Sequence, residues 1–114
     1  MPRDFKVYLQ DILEAIEKIR RYTDGSPNFV RDERTLDAVV RNLEVIGEAA
    51  KGISPAVRKK YPDVEWKKIS GLRDVLIHEY FGVSAAIIGD IVKKNLPVLE
   101  SQVRAITKRE SGKK

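Results

Sequence analysis

The sequence predicts an all-α bundle of four to five helices, formed by residues 1–114 as a single domain. Apolar residues recur at three- and four-residue intervals over long segments, and the few glycines and prolines fall between those segments. No alternating strand pattern, internal repeat or low-complexity segment interrupts this organisation. At 114 residues and 42% hydrophobic, the chain supplies apolar side chains for one core but not for two.

The first two predicted helices form an antiparallel pair. The first runs from about Asp4 to Tyr22, and the second starts at an N-cap, Asp32, and ends at Gly52. "DGSP" at 24–27 separates them, and such a short connection favours antiparallel neighbours. The apolar face of the first helix is Phe5, Leu9, Ile12, Ile16 and Ile19, and that of the second is Leu36, Val39, Val40, Leu43, Ile46, Gly47 and Ala50.

A short helix and a longer one follow. Ser54 has the form of an N-cap, and Pro55 occupies the first helical position, where a missing N–H costs nothing. Pro62 ends this short helix. The next main helix is expected from about Val64 to His78.

The last predicted helix follows the sequence "FGVS" at 81–84. Ser84 is its expected N-cap, and Pro97 should kink it because a proline inside a helix loses a hydrogen bond. Residues 108–114, "KRESGKK", are expected to form a frayed, solvated tail. The apolar positions of this helix are Ile87, Ile88, Ile91, Val92, Leu99, Val103 and Ile106.

Composition excludes several classes of protein. The chain has no cysteine and one histidine, so disulfides and thiolate metal sites are excluded, and we expect neither a metal ion nor another cofactor. No stretch approaches the roughly 20 apolar residues that span a bilayer, and the charged start "MPRDFKVYLQD" is unlike a secretory signal, so a cytoplasmic location is expected. The net charge of +5 permits a nucleic-acid partner without establishing one.

The octapeptide "RDVLIHEY" at 73–80 contains the single histidine. On a helical projection Arg73 falls in the middle of an apolar arc, although its guanidinium cannot lose its charge. Two interpretations remain open from the residues. Arg73 pairs with a carboxylate of the second helix, such as Glu44 or Glu48, or it faces a cleft or subunit interface that an anion can enter.

The other polar residues of this octapeptide also allow two interpretations. Asp74 and His78 are four residues apart, about 40° around a helix, so the carboxylate can orient the imidazole and favour its protonated form. Arg73 and His78 are about 140° apart and meet at one ligand only if the helix loosens or the arginine wraps around it. Alternatively, His78 is a charge at a helix C-terminus and Tyr80 a core aromatic.

Residues 31–83 resemble the HepT-like family of small HEPN-domain proteins. The motif of that family is an arginine, four to six residues, a histidine, one residue and a tyrosine, which Arg73, His78 and Tyr80 satisfy without a gap. Asp74 matches the polar residue that commonly follows the arginine. "IGEAA" at 46–50, "PDVEW" at 62–66 and "HEYFGV" at 78–83 extend the likeness.

The resemblance implies a HEPN-type homodimeric bundle that acts as a metal-independent endoribonuclease, the toxin of a type VII toxin–antitoxin system with RNA as substrate. Arg73 and His78 would be catalytic, with Asp74 supporting them. The partner would be a cognate minimal nucleotidyltransferase antitoxin, which neutralises the toxin by transferring AMP to Tyr80.

These residues suit metal-free RNA cleavage. The 2′-hydroxyl can attack the adjacent phosphorus if His78 moves a proton and Arg73 balances the charge on the phosphorane. One histidine cannot be base and acid at once, so a symmetric dimer with two motifs at one cleft would complete the site. Two alternatives stay open: a non-catalytic subunit that binds the substrate or acceptor of a nucleotidyltransferase, and a purely structural dimerising bundle.

Overall fold

A computed structural model describes residues 4–26, 28–78 and 85–111, and for Ile77 and His78 it describes the backbone alone. Every regular element in these ranges is helical, which confirms the predicted all-α class. A 3₁₀ turn at Phe29–Arg31 precedes α2, and a π turn at Ile91–Asn95 joins α5 to α6. The helices are α1 Phe5–Thr23, α2 Glu33–Gly52, α3 Pro55–Lys60, α4 Trp66–His78, α5 Ala85–Asp90 and α6 Leu96–Ser111.

The helix α2 lies between α1 and α4 and makes the most extensive contacts with both. Tyr8, near the start of α1, lies beside Gly52 at the end of α2, so the two helices run antiparallel as predicted. α6 also packs on α1. The fully buried side chains at the centre of the bundle come mainly from α1, α2 and α6 and include Leu9, Ile12, Val39, Leu43, Ile46 and Val103.

Side-chain caps fix where α2 and α3 begin. Asp32 accepts a hydrogen bond from the backbone N–H of Arg34, and Ser54 accepts one from Val57, as expected of N-cap residues. Pro55 then occupies the first turn of α3, where no N–H is required. The predicted N-caps of α2 and α3 are therefore confirmed.

The C-terminus of α2 is held by an arginine from the next helix. Arg58 donates from Nη2 to the carbonyl oxygen of Ala50 at 2.7 Å and from Nε to that of Ile53 at 3.1 Å. The last carbonyls of a helix lack partners within it, so these two bonds satisfy them. The end of α2 consequently has a fixed position relative to α3.

A π turn precedes the proline at which a kink was expected. The backbone N–H of Leu96 donates to the carbonyl of Ile91, five residues earlier, rather than four. Pro97 follows directly, has no N–H and would crowd the carbonyl four residues before it, so the wider turn accommodates its ring. Ser84, the predicted N-cap of this segment, lies outside the described residues.

The expected frayed tail from residue 108 is wrong for residues 108–111. α6 continues to Ser111, and Glu110 is buried, accepting hydrogen bonds from the Tyr61 hydroxyl and from Lys60 Nζ, the latter at 2.9 Å. Burial, and then the bond to Glu110, raise the pKa of Tyr61 above its ordinary value. Glu110 lies four residues after the buried Ile106, so it continues the inward face of α6. Residues 112–114 lie outside the described residues.

In the described part of the chain, no helix is both long and apolar enough to cross a membrane.

A carboxylate of α6 forms ion pairs with two arginines. Both guanidinium nitrogens at the end of Arg20 in α1 donate to Glu100, with Nη1 3.1 Å from Oε2, and Arg104 Nη2 lies 3.0 Å from the same oxygen. The bond from Arg20 is the main reason that the pKa of Glu100 lies below its usual 4.5. This interaction attaches α6 to α1.

Replacing Glu100 with glutamine should lower the free energy of unfolding at pH 7 by about 0.5–1 kcal/mol, a small value because both arginines are largely exposed. Since the folded-state pKa of Glu100 is depressed, its contribution is present above pH 4.5 and is lost as the pH falls through the folded pKa. Urea unfolding at pH 7 and pH 3 measures this. The difference between wild type and Glu100→Gln should shrink at pH 3, whereas Glu14→Gln, an exposed carboxylate bonded to Gln10 of its own helix, should change little at either pH.

Candidate functional site

The helices α2 and α4 come into backbone contact at Gly47 and Arg73. A Cβ atom at Gly47 would lie 2.6 Å from the Cβ and 2.8 Å from the backbone N of Arg73, so only glycine fits there without a shift of one helix. The backbone of Arg73 is therefore pressed against α2. Its side chain leaves α4 along the surface of α2 and reaches the charged residues on that helix.

Two carboxylates bind the Arg73 guanidinium. Arg73 Nε lies 2.7 Å from Glu48 Oε2 on α2, and Nη1 lies 3.3 Å from Asp74 Oδ1 on α4. Of the two α2 carboxylates named as possible partners, Glu48 forms the ion pair. The side chain of Arg73 is still 33% exposed and lines a groove, so it also satisfies the alternative in which it faces a cleft.

A lysine of α2 completes this arrangement. Lys51 Nζ lies 2.9 Å from Asp74 Oδ1, the oxygen that also accepts from Arg73. The bond from Lys51, followed by that from Arg73, lowers the pKa of Asp74 below its ordinary value, so this carboxylate is ionised at neutral pH. We call Glu48, Arg73, Asp74 and Lys51 the four-charge network, because positive and negative groups alternate along it.

Lys51 is not among the site residues predicted from the sequence. The signal was its spacing of three residues from Glu48, which places both side chains on one face of α2. The spacing becomes informative only because this face of α2 contacts Arg73 and Asp74 of α4.

A groove of about 620 Å³ runs along α2, with α1 on one side and Arg73 on the other. Among the described residues, three cations and three carboxylates line it, together with the ring of Tyr8. The groove is therefore polar and close to electrically balanced, unlike a uniformly basic channel. Its charged residues are Asp11, Arg41, Glu44, Glu48, Lys51 and Arg73.

The remaining predicted site residues are only partly described. His78 is the last described residue of α4, five positions after Arg73, and its side chain lies outside the description. Tyr80 lies outside the described residues altogether. The hydrogen bond between Asp74 and His78, and the meeting of Arg73, His78 and Tyr80 at one ligand, remain predictions. Among the side chains that the structure describes, no three of aspartate, glutamate, histidine or cysteine converge to hold a metal ion.

Comparison with known proteins gives a consistent result. A family model described as "Ribonuclease HepT-like" matches residues 12–106. "Probable ribonuclease HepT" of Thermococcus cleftensis is 39% identical over 110 residues, which cover 95% of this chain and 100% of that protein. A "Putative RNase" of Caldanaerobacter subterraneus subsp. tengcongensis is 44% identical over 105 residues, covering 90% of this chain and 94% of the relative.

A larger relative contains the same region as part of its chain. The "Gamma-glutamylcyclotransferase and putative RNase" of Methanocaldococcus jannaschii is 40% identical over 108 residues, which are 93% of this chain and 49% of the relative. The present chain thus spans about half of that protein. No solved structure matches the chain.

Substituting alanine for Gly47 should lower the free energy of unfolding by about 1–3 kcal/mol, because the new Cβ meets the backbone of Arg73 and overpacks the contact between α2 and α4. Gly71→Ala is the matched control, since a Cβ there meets nothing within 4 Å, and it should stabilise the helix by about 0.5–1 kcal/mol. Urea unfolding of both variants compares them. Equal effects at the two glycines would contradict the close contact.

Proposed function

Because the chain belongs to the HepT-like ribonuclease family, we propose that it is an endoribonuclease that cleaves RNA without a metal ion. The family and the class of enzyme predicted from the sequence, a ribonuclease, are both confirmed. The observation that carries the finer proposal is the position of Arg73. Its guanidinium is oriented by two carboxylates, stays partly exposed at a groove, and belongs to the helix that contains His78.

The proposed reaction uses groups of the chain alone. Arg73 binds a phosphate of the RNA with the donors on its guanidinium and balances the negative charge that grows on the phosphorane oxygens. His78 takes the proton of the neighbouring 2′-hydroxyl, whose oxygen attacks the phosphorus. The bond from phosphorus to the 5′-oxygen breaks, and that oxygen leaves with a proton. The products are a 2′,3′-cyclic phosphate and a free 5′-hydroxyl.

The carboxylates of Glu48 and Asp74 support this role of Arg73. Each accepts a bond from a different nitrogen of the guanidinium, which restricts the rotation of a long side chain before substrate arrives. All of these groups are partly exposed, so an incoming phosphate oxygen can replace a carboxylate oxygen at modest cost. Asp74 also supports His78 in the proposed site, from a position four residues earlier on α4.

We propose that two chains act together. Internal attack needs a group that removes one proton and a group that delivers another, and the chain has one histidine. A homodimer with two copies of the motif at one cleft supplies two imidazoles. In this arrangement one His78 acts as the base and its counterpart in the partner subunit acts as the acid.

We further propose that the protein is the toxin of a type VII toxin–antitoxin system, acting in the cytoplasm and controlled at Tyr80. The cognate minimal nucleotidyltransferase would transfer AMP from ATP to the Tyr80 hydroxyl, which loses a proton while pyrophosphate leaves. The attached adenylate adds a negative phosphate and a bulky purine two residues from His78. The phosphate would compete for the charge of Arg73, and the purine would block the approach of RNA.

Purified protein should cleave RNA in the presence of EDTA and leave a 2′,3′-cyclic phosphate, and His78→Ala should abolish cleavage. Arg73→Ala should slow it by about 10²- to 10³-fold, about 2.7–4 kcal/mol of barrier, as for the loss of one preorganised donor. Arg73→Lys should recover only part of the rate, because a lysine cannot form two parallel bonds to a phosphate. Gel analysis of end-labelled RNA measures the rates and identifies the product ends.

Lys68→Ala is the control for the loss of one positive charge. Lys68 is exposed, pairs with Glu65, and lies about 140° around α4 from Arg73. Light scattering on the same samples should give twice the mass of the chain. Loss of activity on chelation, or full cleavage of RNA that lacks the 2′-hydroxyl at the scissile nucleotide, would contradict the mechanism. RNA binding without cleavage would instead indicate the alternative, a non-catalytic binding subunit of a nucleotidyltransferase.

Tyr80→Phe should keep ribonuclease activity and escape neutralisation, because the phenol is proposed as an acceptor of AMP rather than as a proton donor. Coexpression with the cognate nucleotidyltransferase, followed by intact mass measurement, provides the test. Wild type and Tyr22→Phe, a change at an exposed tyrosine of α1, should gain one or more AMP units, and Tyr80→Phe should gain none. A Tyr80→Phe chain that is still modified, or as inactive as His78→Ala, would refute the separate role of Tyr80.

A further inference from the structure

The ring of Tyr8 forms one end of the groove and is positioned by a glycine. A Cβ atom at Gly52 would lie 2.5 Å from Cζ and 2.6 and 2.8 Å from the two Cε atoms of the Tyr8 ring. The phenol end of the ring therefore occupies the space in which any other residue at 52 would place its side chain. Tyr8 is only partly buried and packs against the edge of the core, so part of its surface lines the groove.

The neighbour of Gly52 connects this ring to the motif. Lys51 Nζ and Arg73 Nη1 both bind Asp74 Oδ1, at 2.9 and 3.3 Å, so the two cations converge on one negatively charged oxygen. A phosphate group presents the same kind of oxygen to them, with more than one acceptor and a full negative charge. Lys51 and Arg73 are thus arranged to share a single phosphate.

The charges that line the groove indicate that it binds more of the RNA than its phosphates. A surface that binds only phosphates is uniformly basic, whereas the described residues that line this groove include as many carboxylates as cations. Asp11 lies three residues after Tyr8 on α1, so it is on the same face of the helix as the ring and also lines the groove. An aromatic ring beside a carboxylate suits a nucleobase, which offers a flat face and N–H donors.

The size of the groove agrees with such a ligand. Its volume of about 620 Å³ falls within the range of roughly 300–1,000 Å³ that is typical of pockets for small ligands. Gly47 contacts the backbone of Arg73, and Gly52 contacts the ring of Tyr8. The two glycines are five residues apart on α2, or about 7.5 Å along the helix axis. The backbone of Arg73 and the ring of Tyr8 therefore contact α2 at two points separated along its axis.

We propose that this groove binds one nucleotide of the RNA beside the scissile phosphate, with its base against Tyr8 and the scissile phosphate itself between Lys51 and Arg73. The inference rests on the proposed ribonuclease function and adds a specificity subsite to it. Asp11 accepts a hydrogen bond from the exocyclic amino group of the base. Cytosine, adenine and guanine carry such a group and uracil does not, so the subsite selects against uridine.

Binding is measured separately from cleavage, by fluorescence anisotropy with short RNAs that carry a 2′-deoxy nucleotide at the scissile position. Gly52→Ala is the most informative variant, because its Cβ displaces the phenol end of the Tyr8 side chain and leaves Asp11, Lys51 and Arg73 unsubstituted. It should weaken binding by about 5- to 150-fold, the range for losing one base–aromatic stack. Gly89→Ala, where the Cβ meets Val30 at an ordinary 3.5 Å, should bind as wild type.

Substitutions at Lys51 and Asp11 test the proposed phosphate contact and the proposed base contact separately. Lys51→Gln should reduce the slope of log affinity against log salt by about 0.7, the value for one phosphate contact to a single strand, while Lys68→Gln should leave the slope unchanged. Asp11→Asn should lower the affinity for RNA with cytidine at the subsite more than the affinity for RNA with uridine there. The preference for cytidine should therefore decrease. Tyr22→Ala, at an exposed tyrosine of the same helix, should alter neither quantity.

The outcomes distinguish this inference from the proposed function. If the wild type binds and discriminates but never cleaves RNA, the ribonuclease proposal fails and the subsite stands. If the wild type cleaves RNA and Gly52→Ala binds as tightly as Gly89→Ala, the subsite is refuted and the ribonuclease proposal stands. A Gly52→Ala protein with half the mass of wild type would also refute the subsite, since the groove would then be a contact between subunits.

Discussion

The contact between Gly47 of α2 and the backbone of Arg73 in α4 determines the geometry of the candidate site. Because glycine has no side chain, the two helices approach until the Arg73 backbone meets the α2 surface. At that separation the guanidinium reaches Glu48, and Lys51, one turn further along α2, reaches Asp74. The four-charge network is therefore a consequence of close helix packing, and any change in the helix separation alters all of its bonds together.

The network orients side chains more than it stabilises the fold. Its members are between one-third and two-thirds exposed, and ion pairs at such positions contribute little to the free energy of unfolding. Stability comes instead from the apolar side chains that α1, α2, α4 and α6 bury between them. Because the core does not depend on the network, Arg73 and Lys51 can exchange a carboxylate partner for a phosphate without disturbing the apolar packing.

The two ends of α6 show how local composition and tertiary contacts compete. The charged residues of "KRESGKK" favour a solvated tail, yet the helix reaches Ser111 because Glu110 finds Tyr61 and Lys60 on its inward face. Pro97 favours a break, yet the chain continues through a π turn that removes the steric conflict. In both cases a specific partner or a local change of helix geometry outweighed the average tendency of the residues.

The sequence by itself determined the helical class, the caps of α2 and α3 and the family, because periodicity, capping and motifs are local properties of one segment. Only the tertiary structure decided that Arg73 pairs with Glu48 rather than Glu44, that Lys51 joins Asp74, and that Tyr8 lies over Gly52. Periodicity assigns a residue to a face of its own helix. Which faces meet, and at what separation, depends on packing summed over several helices, and no single segment contains that information.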